Sequence, residues 1–438
     1  MTSTAPATPP GIRDADGTVP AQRRVLRVLV AAQVLSGAGL AAGVTVGGLL
    51  AQDMLGSTGL AGLPSALFTA GSALAAVTVG RISQRGGRRP GLAAGYLTGA
   101  VGSAAVIVAA VLDSPVLLFL ALFVYGAGSA TNLQARYAGA DLATPDRRAR
   151  AVSTVLVATT LGGVAGPNLA APTGTFAEGL GIPNLAGPFL LSGAAYALAA
   201  LVLAVWLRPD PLLLARDLAA DAVSQEKTTA LSQQKTDAVP DEKTPAPGES
   251  AAAAPRGAGV VLGALVMILT QLVMVAVMTM TPIHMHDHGH GTAATGLVIA
   301  LHIAAMYLPS PLTGWLVDRY GRLAMAAASG VTLLAAGVVA ALAPADSIGL
   351  LAVALALLGL GWNFGLVAGT AIITDAVPLA TRARTQGLVD VSIAIAGATG
   401  GMASGIVVAA ASYPVLALTG GVLALAVLPA VAVTAYRR

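Results

Sequence analysis

Residues 314–322 read GWLVDRYGR, and residues 80–88 read GRISQRGGR. Each stretch follows a long apolar segment, and glycines and arginines recur at matching places. The offset is 234 residues, from position 80 to position 314, and it relates two further pairs: Asp141 with Asp375, and Arg148-Ala149-Arg150 with Arg382-Ala383-Arg384. Agreement at three separate places indicates that the chain is a tandem repeat of one unit, an arrangement typical of membrane transporters.

Composition defines the class of protein. The chain is 56% hydrophobic and only 10% charged, with a mean hydropathy of +0.79, which indicates an integral membrane protein. The first apolar segment follows Arg23, Arg24 and Arg27 without a small-residue cleavage site, so we interpret it as a retained span rather than a signal peptide. The absence of cysteine from the sequence excludes disulfides and thiolate metal sites.

The apolar runs predict an all-α membrane protein with twelve spans in two six-helix halves. A tail of residues 1–27 precedes the first half at 28–207, and a linker at 208–257, predicted to be disordered with a short helix at its start, precedes the second half at 258–435. The predicted spans lie near 28–50, 59–80, 91–112, 115–137, 151–172, 186–207, 258–283, 293–316, 323–343, 348–372, 387–411 and 413–435.

Charge placement predicts the orientation in the membrane. If both termini and the linker are cytoplasmic, all 24 Lys and Arg residues fall in cytoplasmic segments or at cytoplasmic helix ends. The outward loops then carry none, as the positive-inside rule requires. We therefore expect a multi-pass protein of the cytoplasmic membrane with both termini inside.

The repeated turn resembles the Gly-x-x-x-Asp-Arg-x-Gly-Arg signature of the major facilitator superfamily, and the twelve spans extend this resemblance over the whole chain. The resemblance implies alternating access between two halves. In that family the aspartate of the first copy helps to hold the halves together on the cytoplasmic side; Gln84 stands there, which implies a weaker contact or other partners. The motif residues are Gly80, Arg85, Arg88, Gly314, Asp318, Arg319, Gly321 and Arg322.

Residues 267–306 contain six of the ten methionines and all five histidines. Met274 and Met278 share one face of the seventh span, and His302 and Met306 share one face of the eighth. Counting from the outer boundary, His302 should lie at the depth of Met274. Uncharged thioethers together with imidazole favour Cu(I). These four residues are the predicted metal ligands.

The two pairs resemble the paired motifs of the CcoA-like copper importers, a branch of the same superfamily. The resemblance implies import of copper, most simply Cu(I), as substrate, with no tightly bound cofactor. The expected partners are then the copper ion, the lipid bilayer and a cytoplasmic copper chaperone. Just outside the membrane we predict a polar loop that captures metal, formed by His284, Met285, His286, His288 and His290.

Other interpretations remain open. Methionine in a membrane helix is usually apolar filler, and a single buried histidine often only bonds a carbonyl. The Gly162-x-x-x-Gly166-Pro167 stretch resembles a signature of drug/proton antiporters, although a packing role is equally good. The alternative function is therefore a drug or metabolite exporter driven by protons; a non-transporting metal receptor is a weaker third interpretation, since the repeat is intact.

Features that the sequence lacks argue against several of these functions. Aromatic residues make up only 4%, which argues against sites for aromatic cations. No carboxylate is predicted at mid-depth, because Asp390 enters its helix only in the first turn, so a proton relay lacks a candidate. Most polar residues in the spans, Gln271 among them, are expected to form hydrogen bonds between helices, while Arg136 near the inner end of the fourth span could instead line an exit path. The sequence contains no nucleotide-binding loop or catalytic triad, so we expect neither an enzyme nor a nucleic-acid partner.

Overall fold

The computed structural model describes residues 20–55, 63–236, 256–344 and 346–436, and the regular secondary structure in these ranges is entirely helical. The first half contains α1 (Pro20–Leu55), α2 (Leu63–Gly86), α3 (Arg88–Val111), α4 (Pro115–Ala140), α5 (Arg148–Asn168), α6 (Ala170–Gly179) and α7 (Gly187–Trp206). The linker contains α8 (Pro211–Thr236). The second half contains α9 (Arg256–Asp287), α10 (Thr292–Tyr307), α11 (Ser310–Tyr320), α12 (Arg322–Leu342), α13 (Ile348–Ala376), α14 (Arg382–Ala410), α15 (Tyr413–Ala424) and α16 (Val427–Tyr436).

The predicted all-α membrane architecture is confirmed. Ten stretches of the described residues are long and apolar enough to cross a membrane. The two remaining predicted spans fall on α1 and on α5 with α6. Three spans are broken into two helices each, namely α5 with α6, α10 with α11, and α15 with α16. The break after α10 contains Pro309, which lacks the amide hydrogen that a continuous helix needs.

Glycines allow the helices of each half to approach closely. A Cβ at Gly162 of α5 would lie 2.0 Å from the carbonyl oxygen of Val34 in α1, and one at Gly337 of α12 would lie 2.3 Å from that of Ala417 in α15. Small residues at such crossings are the usual solution inside membranes, where no hydrophobic effect drives helices together. The packing role of the Gly162 motif is thus sufficient to explain its first glycine.

The two halves meet at the end that carries the repeated turns 80–88 and 314–322, which we call the arginine-rich end. Here α2 packs against α14, and a Cβ at Gly80 would lie 2.9 Å from the Ala383 carbonyl oxygen. Likewise α5 packs against α11, and a Cβ at Gly314 would lie 2.7 Å from the Ala149 carbonyl oxygen. Gly80 and Gly314 are repeat counterparts, so one contact is used twice to close this end.

The linker prediction needs correction. Instead of a short helix, α8 occupies 26 residues from Pro211 to Thr236; residues 237–255 lie outside the described part. The segment contains many strong helix formers, and Asp210 Oδ1 accepts hydrogen bonds from the Leu212 and Leu213 amides at its start. The mixed charge of the linker indicates disorder, but the helix propensity of its residues and this N-terminal cap stabilise α8. The predicted tail, up to residue 19, also lies outside the described residues.

Two helix boundaries differ from the prediction in ways that matter for the site. Helix α9 continues to Asp287, so the first four residues of the predicted outer loop are helical. Helix α14 begins at Arg382, five residues before the predicted span, which moves Asp390 from the first turn to the third. Hydropathy locates the apolar part of a helix, whereas hydrogen bonding continues the helix into polar residues at either end.

Candidate functional site

The closed arginine-rich end is built from the repeated motif. Asp318 accepts hydrogen bonds from the amides of Ala149 (3.1 Å) and Arg150 (3.0 Å), which begin α5 in the other half. Its repeat counterpart Gln84 accepts from Ala383 (2.9 Å) and Arg384 (3.3 Å), which begin α14. Each side chain therefore caps a helix across the boundary between the halves.

Gln84 also makes contacts that an aspartate could not make. Its amide nitrogen donates to the carbonyl oxygen of Ala380 at 2.6 Å and lies 3.5 Å from that of Leu379. A glutamine thus replaces the charge of an aspartate with two donor hydrogens. The expectation that the contact uses other partners agrees with this geometry, since the carbonyls before α14 are additional partners.

Two clusters of arginine and aspartate lie beside these caps and are also related by the repeat. Arg88 donates to Asp141 at 2.7 Å within the first half, and Arg382 of the second half lies 3.8 Å from the same carboxylate. In the counterpart cluster, Asp375 pairs with Arg322 of its own half and with Arg148 of the other half. We call these two clusters the shallow ion pairs. Each aspartate keeps an arginine of its own half.

The remaining motif residues fall into two groups. Gly321 has a φ of 96°, and its counterpart Gly87 has a φ of 95°, a region that side-chain-bearing residues rarely adopt. Arg85 and Arg319, by contrast, are exposed. The motif therefore divides into glycines that shape the turn, residues that join the halves, and two exposed cations.

A third ion pair lies deeper and was missed as a unit by sequence reasoning. Arg136 of α4 donates to Asp390 Oδ1 of α14 at 2.7 Å and to the Thr370 hydroxyl of α13 at 3.0 Å. The Tyr137 hydroxyl donates to the same Asp390 oxygen at 3.2 Å. Asp390 lies eight residues into its helix, about 12 Å along the axis from the helix start. The prediction that Asp390 lies in the first turn of its helix is therefore wrong, and with it the reason for excluding a carboxylate at depth.

Next to this deep ion pair lies an aromatic cluster. The Trp362 indole nitrogen of α13 donates to Gln271 Oε1 of α9 at 2.7 Å. The Trp362 ring also meets the Tyr307 ring of α10 edge-on, with centroids 5.7 Å apart. Trp362 and Tyr307 also belong to the same apolar core as Val152 and Leu156 of the first half, so the cluster lies at the boundary between the halves. The predicted hydrogen bonding of Gln271 between helices is confirmed.

Both helices that carry the predicted metal ligands pack against α13. On the α9 side, Met267 and Thr270 approach Gly369 and Gly365, whose added Cβ atoms would each lie 2.4 Å from them. On the α10 side, His302 bonds the Leu355 carbonyl. At 100° per residue, Leu355 lies about 80° from Gly365 and about 40° from Gly369 around α13, so α9 and α10 contact neighbouring faces of that helix. A common metal site of Met274, Met278, His302 and Met306 stays a prediction.

The relative depth of these ligands also differs from the prediction. Continuing the α9 contacts by one and two turns places Met274 level with Gly361 and Met278 level with Leu357. His302, which bonds Leu355, therefore lies level with Met278 rather than Met274. The count from the boundary failed because α9 extends one turn further than predicted.

His302 nevertheless has the form of a metal ligand. Its Nδ1 lies 2.8 Å from the Leu355 carbonyl oxygen, to which only a protonated Nδ1 can donate. Its Nε2 is buried and has no hydrogen-bond partner among the residues that the structure describes. Donation of one ring nitrogen to a carbonyl is the arrangement that directs the other towards a metal.

The predicted outer capture residues are only partly exposed. His286 and His288 are exposed, whereas Met285 is fully buried. The His284 ring stacks on Tyr413 with centroids 4.3 Å apart and lies 4.4 Å from the His288 ring. Within the described ranges no three His, Asp or Glu side chains form a group that could hold a metal ion. Metal capture by the set that includes His290 stays a prediction.

The chain is similar in sequence to known proteins. The sequence model of the Major Facilitator Superfamily matches residues 29–306 and 260–438. The chain belongs to the Major Facilitator Superfamily. Two relatives from Bacillus subtilis (strain 168), the uncharacterized MFS-type transporters YddS and YdeG, are 54% and 56% identical over 409 and 411 residues. Each alignment covers 93% of this chain, and they cover 90% and 91% of the relatives. The protein is a membrane transporter.

A more distant relative has a named substrate. The riboflavin transporter RfnT of Brucella anthropi is 30% identical over 373 residues, which are 84% of this chain and 85% of RfnT. Among solved structures, the human organic anion transporter MFSD10 superposes with a TM-score of 0.73 at 17% identity, covering 94% of this chain and all of MFSD10. At that identity the likeness shows the fold alone. The narrower resemblance to the CcoA-like copper importers stays a prediction.

Proposed function

We propose that this transporter carries a small planar organic solute across the membrane by alternating access. The observation that carries the proposal is the cluster of Trp362, Tyr307 and Gln271 at the boundary between the halves. Two rings that meet edge-on, with an amide beside them, suit a flat heteroaromatic molecule, which needs apolar faces and a few polar contacts. The relative RfnT, a riboflavin transporter, supports this class of substrate.

The repeat supports the same assignment. The positions equivalent to Gln271, Tyr307 and Trp362 in the first half are Gly37, Ala73 and Gly128. The cluster is therefore no part of the duplicated scaffold. Within the proposal, the arginine-rich end faces the cytoplasm, since positive charge is retained on that side of membranes. Because the arginine-rich end is closed in this structure, the substrate enters from the outer side of the membrane or leaves towards that outer side.

The test uses riboflavin uptake or efflux in proteoliposomes that contain the full-length protein, followed by flavin fluorescence. Trp362→Ala should lower the initial rate about tenfold or more, because it removes the larger ring and leaves Gln271 without its donor. Trp315→Ala is the matched control, since Trp315 is exposed and meets only Tyr320 edge-on among the aromatic rings described. Equal rates for both variants, or no flavin transport by the wild type, would reject the proposal.

Copper import, the function implied by the narrower resemblance, is a second candidate. The unpaired Nε2 of His302 favours it, together with Met306 one turn further along α10. Cellular copper should fall in His302→Ala and Met278→Ala strains relative to the wild type, and remain unchanged in Met402→Ala, a methionine that is 69% exposed on the outer surface of α14. Equal copper in all strains would remove this candidate, and lower copper in the wild type would indicate export. A copper chaperone as partner belongs to this candidate alone.

A further inference from the structure

The deep ion pair depends entirely on groups from the other half. Asp390 Oδ1 accepts hydrogen bonds from Arg136 and Tyr137, both on α4 of the first half. A further cation that acts on Asp390 is Arg88, also from the first half. Within the described part of the chain, the buried Asp390 Oδ2 has no hydrogen-bond partner. These donors and cations all belong to the half that must move away.

Asp318 is the nearest comparison. It also accepts its hydrogen bonds from the other half, but Arg322 of its own half acts on its charge as well.

Opening the arginine-rich end affects the ion pairs unequally. When the halves separate, Asp141 keeps Arg88 and Asp375 keeps Arg322, because these partners lie in the same half. Arg136 also retains partners in its own half, the Leu133 carbonyl and the Tyr137 hydroxyl. Asp390 alone among these carboxylates would be left as an isolated charge in an apolar region, which is strongly unfavourable.

We propose that Asp390 is a proton-binding site, and that binding of a proton there releases the contact between the halves. The proton comes from water and binds the free Oδ2, which turns the carboxylate into a neutral acid. The attraction to Arg136 is then lost, and the halves can separate without leaving an unpaired carboxylate behind. Loss of the proton, once the halves close again, restores the ion pair.

The site would couple a proton to transport. Because opening favours the protonated acid, protonation must by the same amount favour opening. This inference concerns the driving ion and holds for any substrate, so it does not rest on the proposed function. Its test needs no substrate, and the two can fail independently.

The natural absence of cysteine from the sequence permits a direct test. Ser153 is buried where α5 packs against Gly314 of α11, so a single Ser153→Cys replacement reports separation of the halves. Ser224→Cys on the exposed surface of α8 serves as the reference, because it corrects for the pH dependence of thiol chemistry itself. The labelling ratio is the maleimide reaction rate at position 153 divided by that at position 224, for full-length protein in detergent.

For otherwise wild-type protein, the labelling ratio should rise about fivefold or more between about pH 8 and about pH 5.5. With Asp390→Asn, which mimics the neutral acid, the ratio should be high and independent of pH. The matched control Asp113→Asn changes an exposed carboxylate at the opposite end and should retain the full pH dependence. Persistence of the pH dependence in Asp390→Asn, or a flat ratio in the wild type, would overturn the proposal.

A second variant keeps the test interpretable if Asp390→Asn does not fold. Arg136→Met with Asp390→Leu removes both charges and leaves no unpaired ion, so it should fold even if a single variant does not. Its labelling ratio should likewise be independent of pH. A pH-dependent ratio in this double variant would also contradict the proposal, because the proposed proton site is absent.

Discussion

The shallow ion pairs and the deep ion pair differ in their relation to the repeat. The shallow pairs occur twice, since Asp141 and Asp375 are counterparts and each is flanked by one arginine from either half. The deep pair occurs once. The counterpart of Arg136 is Thr370, and that of Asp390 is Leu156. Arg136 even donates to Thr370, its own counterpart, across the boundary.

Contacts that occur twice and contacts that occur once have different roles. Contacts that occur in both halves close the arginine-rich end symmetrically and cost little to break, because each aspartate keeps an arginine of its own half. A contact that has no repeat counterpart cannot be part of the duplicated scaffold. Trp362, Gln271 and Asp390 are all of this second kind, and all lie near the boundary between the halves. The departures from the repeat are therefore where transport chemistry should be sought.

The largest loss of stability is expected when one partner of the deep ion pair is removed. Arg136→Met leaves Asp390 buried and unpaired, and should lower the free energy of unfolding by about 3–5 kcal/mol. Adding Asp390→Leu should restore most of it, because two apolar residues then replace the pair. Denaturant unfolding of the purified protein in mild detergent measures both. Simple additivity of the two single-variant losses would show that the pair is not coupled.

The second prediction concerns the glycine contacts that the two halves share. Gly80→Leu inserts a side chain where even a Cβ lies 2.9 Å from the Ala383 carbonyl, so it should disfavour closure by about 1–3 kcal/mol. The labelling ratio defined above should rise at every pH. Gly405→Leu is the control, because no atom lies within 4 Å of an added Cβ there. A pH-independent rise would distinguish this steric effect from that of Asp390.

The sequence alone predicted most of the fold but only part of the site. The twelve spans, the repeat and the motif residues Gly80, Gly314 and Asp318 follow from hydropathy and spacing, which the membrane enforces strongly. The sequence also indicates that Arg136 forms hydrogen bonds between helices or lines an exit path. Its pairing with Asp390 could not be read, because the partner lies 254 residues away and hydropathy placed the start of α14 five residues too late.

The metal ligands show the opposite limitation. The spacing of Met274 and Met278, and that of His302 and Met306, correctly predicts a shared face within each helix. It contains no information about how the two helices pack against each other. Helices α9 and α10 both contact α13, and that packing decides whether the two pairs can meet. Local periodicity describes one helix, whereas a site depends on the packing of several.

The third prediction tests whether the two cross-boundary caps differ as their charges do. Loss of a helix cap costs about 1 kcal/mol. A hydrogen bond to a charged acceptor is about twice as strong as one to a neutral acceptor. Asp318→Ala should therefore raise the labelling ratio more than Gln84→Ala. Added salt should reduce the Asp318 effect and leave the Gln84 effect nearly unchanged, since only the former depends on charge. Equal salt responses would show that charge at Asp318 contributes nothing to closure.

The smallest effect is expected at Arg216, in the linker helix α8. Its guanidinium donates to the carbonyl oxygens of Gln84 (3.0 Å) and Leu379 (3.3 Å), one from each half. It therefore joins the halves without a repeat counterpart, like the deep pair, but its side chain is only half-buried. Water competes for a half-buried guanidinium, so Arg216→Ala should favour opening by only about 0.5–1.5 kcal/mol. Lys227→Ala, exposed on the same helix, is the control. If Arg216→Ala also removed the pH dependence, burial would not be what distinguishes Asp390, and the linker would have to be counted as part of the proton-sensitive contact.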